Sequence, residues 1–147
     1  FLAGFPATDF SCAIFDGSYH DVDSSEMAFK IAASIAFKKC MEQANPILME
    51  PVMNVEVTVP EDCLGDVMGD FNSRRGRIMG IDSEGKLQIV KAQCPLSEMF
   101  RYAIILRSMT SGRGTFSMEY SHYEEVPGDI AKKVIEQAAQ ERKDEEE

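Results

Sequence analysis

Apolar and polar residues alternate strictly between positions 53 and 59, and this stretch constrains the fold of the chain most. The apolar positions are Met53, Val55, Val57 and Val59, and Pro60 follows them. Because successive side chains of a β-strand point to opposite faces of a sheet, the pattern predicts a strand with one buried face. The chain is therefore expected to contain a sheet whose apolar face is covered by other elements.

Helical and extended patterns follow this strand in turn. Apolar residues at i, i+3, i+4 and i+7 predict a helix from Leu64 to Phe71, and a second helix is predicted from Glu98 to about Ser108. Three further strands are predicted at Ile78–Ile81, Leu87–Cys94 and Phe116–Tyr120. The resulting order predicts the α+β class and a ferredoxin-like split βαβ sandwich, with four antiparallel strands and two helices on one face.

Several details of these elements are also predicted. A turn is expected at Asp82–Gly85, and the alternation of the next strand slips near Val90, which indicates either a bulge or a strand buried on both faces. Ser97 is expected to cap the second helix. The inward side chains of that helix are predicted to be Met99, Phe100, Ala103 and Leu106, and a glycine-rich loop is predicted at Thr110–Gly114.

A short strand and a long helix are predicted before this domain. The strand covers Asp9–Phe15, and the helix begins at a capping-box variant of Asp23 and Glu26 and runs to about Gln43. One strand cannot bury this helix well, so its other partners are expected upstream of Phe1, and the chain is interpreted as a fragment. After the ferredoxin-like domain, a helix is predicted at Pro127–Gln140 and a disordered acidic tail at Lys143–Glu147.

The composition limits the partners of the chain. The formal net charge is -10, and this argues against tight binding to bare nucleic acid, because such binding depends on Lys and Arg that neutralise phosphates. The cluster Arg74-Arg75-Gly76-Arg77 can still be considered as a local phosphate contact. No run reaches the roughly 18 apolar residues of a membrane span, so a soluble protein without a membrane partner is predicted.

The four cysteines lie far apart and form no C-x-x-C pair, which argues against a zinc site. They are Cys12, Cys40, Cys63 and Cys94. Each lies in an apolar segment, so all four are predicted to be small buried residues in a reducing compartment. The predicted localisation is cytoplasmic, with an organelle matrix as the alternative.

The stretch D-G-S-Y-H-D-V-D-S-S-E, from Asp16 to Glu26, places a histidine and three aspartates in one short loop. It is either a working surface or a solvated loop in which Asp23 or Ser24 caps a helix. Neither histidine of the chain pairs locally with Cys or Ser, the aspartate spacing differs from that of a calcium loop, and no P-loop motif occurs. No catalytic residue and no metal site are therefore predicted.

Several longer motifs carry a resemblance to a known family. They are G-S-Y-H-D-V-D-S-S-E-M-A-F-K-I-A, E-P-V-M-N-V-E-V, G-D-V-M-G-D-F-N-S-R-R-G, P-L-S-E-M-F, L-R-S-M-T-S-G-R-G and H-Y-E-E-V-P. With these motifs in order, the chain closely resembles the carboxyl-terminal part of bacterial-type elongation factor G. The resemblance implies the end of the fourth domain at residues 1–46, the fifth domain at 47–126, and a terminal helix with an acidic tail at 127–147.

The full factor of this family is a ribosome-dependent GTPase that moves transfer RNA and messenger RNA after each peptide bond. The resemblance therefore implies the ribosome as partner, and a monomer is expected. GTP and magnesium belong to the full-length parent. The fragment itself is expected to lack the GTPase domain, to catalyse no reaction and to hold no cofactor.

The resemblance also implies two contact sites. The tip of the fourth domain, which enters the small-subunit decoding centre and contacts the codon–anticodon region, would carry Ser18, Tyr19, His20 and Asp21. Large-subunit RNA near the sarcin-ricin loop and stalk base would be contacted by Ser108, Ser111 and Arg113. Relatives often have glutamine at the position of Ser111 and glycine at that of Arg101, which indicates a divergent or paralogous member.

Other functions stay open beside translocation. The parent could act in ribosome recycling or in another paralogous task. A free-standing ferredoxin-like RNA-binding module would carry stacking aromatic residues on its middle strands, taken here as Ile78–Ile81 and Leu87–Cys94, and these contain none. A small phosphatase would need an arginine-rich anion loop after the strand Val52–Val59, and none follows.

Overall fold

The protein is described from a computed structural model, and residues 1–145 are described below. The chain divides into two compact units. The central unit is Met49–Glu125, and the other combines Phe1–Leu48 with the segment that begins at Val126. Within residues 1–145, no helix is long and apolar enough to cross a membrane. The domain limits predicted from sequence, at residues 46 and 126, stay predictions.

The central unit is a four-stranded antiparallel sheet in the order β2-β3-β1-β4. Its strands are β1 (Met49–Pro60), β2 (Arg77–Glu84), β3 (Leu87–Pro95) and β4 (Thr115–Glu125). Helix α2 (Leu64–Ser73) connects β1 to β2, and helix α3 (Tyr102–Thr110) connects β3 to β4. This is the predicted α+β, ferredoxin-like split βαβ arrangement, and the fold prediction is confirmed.

The predicted apolar face of β1 forms the centre of the core. Val55, Val57 and Val59 are at most 1% exposed, and they pack with side chains of β3 and of both helices. The helices contribute the fully buried Val67, Phe71, Tyr102 and Leu106. Burial of one such side chain contributes about 1.5–3 kcal/mol, so the three valines of this face together contribute roughly 5–9 kcal/mol before the cost in conformational entropy.

The predicted irregularity near Val90 lies in the neighbouring strand instead. Val90, Ala92 and Cys94 are buried in regular alternation, so β3 is neither bulged nor buried on both faces. The register shifts on β2 between Ile78 and Gly80, where Met79 is the extra residue. β2 is also longer than predicted, because it runs to Glu84 and joins β3 through the two-residue turn Gly85-Lys86.

The predicted start of the helix after β3 is wrong. Leu96–Met99 form a 3-10 turn in which Ser97 caps nothing, and α3 begins only at Tyr102. Arg101, the residue before it, has φ 60°, in the left-handed region. This left-handed residue changes which side chains of the helix face the core. The buried face of α3 therefore consists of Tyr102, Leu106 and Thr110, whereas Phe100 is 73% exposed and Ala103 is exposed.

The other unit contains helices α1 (Glu26–Gln43) and α4 (Gly128–Glu145). Residues 9–15 do not form the predicted strand, because no other strand in residues 1–145 pairs with them, and an unpaired strand leaves its backbone groups to water. Of the side chains of α1, only Met41 is buried. Helix α1 ends at Gln43 before Asn45-Pro46, as predicted.

Helix α4 is longer than predicted, since Lys143–Glu145 are helical rather than disordered. Asp129 lies in its first turn and Arg142 and Lys143 lie in its last, which complements the helix dipole at both ends. The predicted apolar stripe is half-buried, and it consists of Ile130, Val134, Ile135 and Ala138. The remaining tail residues, Glu146 and Glu147, lie outside the described residues.

The cysteines are free and fall into two classes. Cys63 and Cys94 are buried, as predicted, but Cys12 and Cys40 are exposed. The prediction fails for these two because their neighbours in the apolar pattern are themselves exposed. Ile14 is 88% exposed and Ile35 is 53% exposed, so apolar periodicity in this unit does not mark a buried face.

Candidate functional site

The loop that carries His20 is closed by hydrogen bonds between His20 and Ser24. The His20 N–H donates to Ser24 Oγ at 2.8 Å, and the Ser24 N–H donates to the His20 carbonyl at 2.9 Å. At the start of the loop, the Gly17 N–H donates to Asp16 Oδ1 at 2.8 Å. These short-range bonds fix the loop without a buried core, because each closes over at most four residues.

The tip side chains point into solvent. Ser18, Tyr19, His20 and Asp21 are all exposed, and Tyr19 is 65% exposed. The Tyr19 ring lies nearly parallel to that of Phe29, with an interplanar angle of 8° and a centroid distance of 6.4 Å. Phe29 lies in the first turn of α1, so the helix anchors the residue next to His20.

Helix α1 starts at a different cap from the predicted one. Ser25, rather than Asp23 or Ser24, is the capping residue, and its Oγ accepts from the Ala28 N–H at 3.1 Å. Ser24 is engaged with His20, and Glu26 pairs with Lys30 at 2.6 Å. The loop therefore assigns neighbouring serines to two tasks: Ser24 closes the tip, and Ser25 begins the helix.

The loop from Thr110 to Gly114 is built around a buried hydroxyl. Thr110 is 0% exposed; its Oγ1 donates to the Leu106 carbonyl at 2.8 Å and accepts from the Gly114 N–H at 2.8 Å. A Cβ at Gly114 would lie 2.9 Å from that oxygen, so only glycine fits there. Ser111 and Gly112 take left-handed conformations, with φ 53° and 80°, and this ends α3.

The side chain of Arg113 folds back onto the unit. Its Nη2 lies 2.8 Å from Asp62 Oδ2, its Nη1 lies 3.3 Å from Asp62 Oδ1, and its Nε donates to the Thr110 carbonyl at 3.1 Å. This hydrogen bonding to Arg113 lowers the pKa of Asp62. Ser108 and Ser111, which lie close to Arg113 in the sequence, are also exposed. All three predicted residues of the second site therefore lie on the surface.

The arginine cluster after α2 is engaged within the central unit. Arg74 lies 2.7 Å from Asp70, Arg75 pairs with both Glu50 and Glu98, and Arg77 pairs with Glu124. Arg74 also lies 5.2 Å from the ring centroid of Tyr102. The side chains of Arg74 and Arg75 are only 13% and 25% exposed, so for these two residues the structure favours a structural role over the phosphate contact considered for this cluster. Arg77 is 58% exposed.

Within residues 1–145, no three His, Cys, Asp or Glu side chains are grouped so that they could hold a metal ion. A shallow, open depression of about 590 Å³ is lined by Pro60, Glu61, Asp62 and Lys86. Two of its four lining residues are carboxylates and one is a lysine, so its lining carries a net negative charge and does not favour an anionic ligand. The two exposed loops, rather than this depression, are therefore taken as the candidate functional sites.

Two known families match consecutive parts of the chain. Residues 47–134 match the family described as "Elongation factor G C-terminus". The chain belongs to the elongation factor G family. Residues 1–45 match "Elongation factor G, domain IV", so the two matches follow one another along the chain. The His20 loop lies in the domain IV match, and the Thr110–Gly114 loop lies in the match to the elongation factor G C-terminus.

A crystal structure of a protein from Thermus thermophilus is similar to this elongation factor G chain, with a TM-score of 0.71 and 47% sequence identity. The similarity covers 85% of this chain. It covers 19% of the Thermus protein, so the chain spans about a fifth of the length of that relative.

Three residues that shape the two candidate sites were not predicted. Phe29 supports Tyr19, Thr110 organises the second loop, and Asp62 holds Arg113. The position of Phe29 near the start of a predicted helix offered a weak signal for its contact, whereas Thr110 was predicted only as the first residue of a loop. Asp62 offered none, because it lies 51 residues from Arg113 along the chain.

Proposed function

We propose that this chain is the carboxyl-terminal part of a ribosomal translocase, in which GTP and magnesium are bound by another part of the factor. Its partners would be the ribosome, transfer RNA and messenger RNA in the cytoplasm. The observation that carries the proposal is the exposed, locally closed His20 loop inside the region that matches domain IV. Both family matches, in order over residues 1–134, support it further.

The tip would enter the small-subunit decoding centre and act by contact rather than by covalent chemistry. His20 is exposed, and its backbone N–H and carbonyl both form hydrogen bonds to Ser24. Tyr19 stacked on Phe29 and the Ser24 closure hold the loop before it binds, which lowers the entropy that ordering would cost. A tip that is ordered in advance suits a factor that must hold RNA in a defined geometry.

The second contact would be with large-subunit RNA near the sarcin-ricin loop and stalk base, through Ser108, Ser111 and Arg113. Its support is local charge: the segment 99–118 contains three arginines and no Asp or Glu, although the whole chain has a net charge of -10. A basic segment on an acidic protein directs RNA to one surface and limits binding elsewhere. Weak bulk attraction also suits a factor that leaves the ribosome in each cycle.

A free-standing RNA-binding module is less well supported. The strand order places β1 and β3 in the middle of the sheet, which corrects the expectation that β2 is a middle strand. Neither β1 nor β3 contains an aromatic residue, so the central strands lack the stacking platform that such modules use. This disfavours single-stranded RNA binding across the sheet.

The test uses the intact factor that carries this chain. His20→Ala should slow translocation by about tenfold or more while ribosome-stimulated GTP hydrolysis stays near its normal rate. Asp23→Ala, in the same exposed loop, is the matched control and should change neither rate. Equal loss of both activities with His20→Ala would contradict a tip role. Subunit splitting without translocation would assign the factor to ribosome recycling instead.

A further inference from the structure

Asp62 and Arg113 form a two-pronged ion pair between segments far apart in the sequence. Both carboxylate oxygens of Asp62 face the guanidinium, at 3.3 and 2.8 Å, and Arg113 Nε is held by the Thr110 carbonyl. Such paired contacts fix the plane of a guanidinium as well as its position. The Arg113 side chain nevertheless stays 51% exposed, so a partner can still reach it.

The turn that carries Asp62 is itself held in place. Asp62 lies in the 3-10 turn Glu61–Cys63, between Pro60, with φ -61°, and Cys63, which is 4% exposed and part of the core. Proline fixes its own backbone angle, and the buried thiol ties the turn to the sheet. The backbone that carries the short Asp62 side chain is therefore held in place, whereas Arg113 alone would have a long, flexible side chain.

We propose that Asp62 is a positioning residue for the RNA contact at the Thr110–Gly114 loop: it holds Arg113 in the orientation that binds a phosphate next to Ser111. This inference rests on the proposed function of that loop. The ion pair removes rotational freedom from Arg113 before binding, so less entropy is lost when the phosphate arrives. Asp62 need not contact the RNA.

The direction in which loss of the Asp62 carboxylate changes RNA binding distinguishes positioning of Arg113 from simple neutralisation of its charge. Loss of a carboxylate from a chain of net charge -10 should strengthen binding to RNA if Asp62 only masks the charge of Arg113. Loss of the same carboxylate should weaken binding if Asp62 positions Arg113. The two explanations therefore predict opposite changes for one substitution.

The experiment measures binding of the intact factor to ribosomes, together with the ribosome concentration that half-maximally stimulates its GTPase. We expect Asp62→Asn to raise both the Kd and that concentration by about three- to tenfold. Asp62→Glu keeps the charge and the two oxygens, so its Kd and its half-maximal ribosome concentration should stay close to those of the natural protein. Glu61→Gln is the matched control, because it removes an exposed carboxylate from the same turn and should leave binding unchanged or slightly stronger.

The double variant Asp62→Asn, Arg113→Ala completes the test. If Asp62 acts through Arg113, Asp62→Asn should have no further effect once Arg113 is alanine. Tighter binding by Asp62→Asn, or a full effect of it without Arg113, would overturn the inference. If Arg113→Ala weakens binding but Asp62→Asn does not, only the positioning role is wrong. If Arg113→Ala and Ser111→Ala together change nothing, the proposed contact itself is wrong.

Discussion

Ser24 holds His20 through both polar groups of the His20 backbone. Its hydroxyl accepts from the His20 N–H at 2.8 Å, and its own N–H donates to the His20 carbonyl at 2.9 Å. One residue thus closes the turn that presents the imidazole, although both residues lie outside any helix or strand. The geometry of the tip depends on this closure more than on packing, since Ser24 is only half-buried and its neighbours are exposed.

Under the proposed function, Ser24→Ala in the intact factor should loosen the His20 loop and slow translocation by about three- to fivefold. The effect should be smaller than that of His20→Ala, because one hydrogen bond of roughly 1 kcal/mol is lost while the imidazole remains. Ser24→Thr keeps the hydroxyl and should behave like the natural protein. Ser34→Ala, at an exposed position on α1, is the control. Stopped-flow measurement of translocation checks the order of the variants. A Ser24→Ala rate equal to that of the natural protein would show that the closure is dispensable.

Arg101→Gly should stabilise the central unit. Arg101 has φ 60°, where a Cβ costs about 1–2 kcal/mol, and glycine removes that cost but adds about 0.5–1 kcal/mol of unfolded-state entropy. The expected net gain in the free energy of unfolding is about 0.5–1 kcal/mol. Denaturant unfolding followed by circular dichroism measures it. Arg101→Ala removes the guanidinium and keeps the Cβ, so it should bring no gain; an equal gain would assign the effect to charge.

Local patterns in the sequence predicted the central unit well, because each of its strands and helices shows the hydrophobic periodicity of a single type of secondary structure. The alternation of Val55, Val57 and Val59 requires a strand with one buried face, and the structure buries that face. The same logic failed after β3, where Arg101 reverses the backbone and brings Tyr102 rather than Phe100 inward. Arginine itself gives no sign of a left-handed backbone, and the glycine that relatives often have at this position was not interpreted in this way.

The candidate sites were predicted as exposed loops, but their internal supports were not. The hydrogen bonds of Ser24 depend on the shape of a turn that several residues set together, so the sequence does not reveal them. The sequence alone was equally consistent with a capping role for this serine. The pair of Asp62 and Arg113 forms because the sheet brings the end of β1 near the start of β4. Such contacts depend on the tertiary fold, so periodicity and spacing do not reveal them.

Arg75→Lys should destabilise the central unit by about 1 kcal/mol, and Arg75→Met by about 2–3 kcal/mol. Arg75 contacts both oxygens of Glu50, at 2.6 and 3.1 Å, and one oxygen of Glu98 at 3.0 Å. The hydrogen bonds that Arg75 donates, first to Glu50 and then to Glu98, raise the pKa of Arg75. Lysine can satisfy only part of this set, and methionine leaves Glu50, at 12% side-chain exposure, without a cationic partner.

Denaturant unfolding of both Arg75 variants checks this order. Arg107→Met is the control, because Arg107 is exposed on α3 and its loss should cost no more than about 0.5 kcal/mol. An Arg75→Met variant as stable as the Arg107→Met control would show that the two carboxylates are solvated well enough without Arg75.

Thiol labelling of the folded chain should proceed in two phases. Cys12 and Cys40 are exposed and should react promptly at about pH 8, whereas Cys63 and Cys94 are buried and should react only when the central unit opens. Burial raises the pKa of the Cys94 thiol to about 11, so roughly one molecule in a thousand carries the reactive thiolate at about pH 8 even if a reagent reaches it. Mass spectrometry over time assigns each site.

The double variant Cys12→Ser, Cys40→Ser should lose the fast phase entirely, and full labelling should return in guanidinium chloride. Fast modification of Cys94 in that folded variant would mean that the core beneath β3 opens far more readily than its complete burial implies.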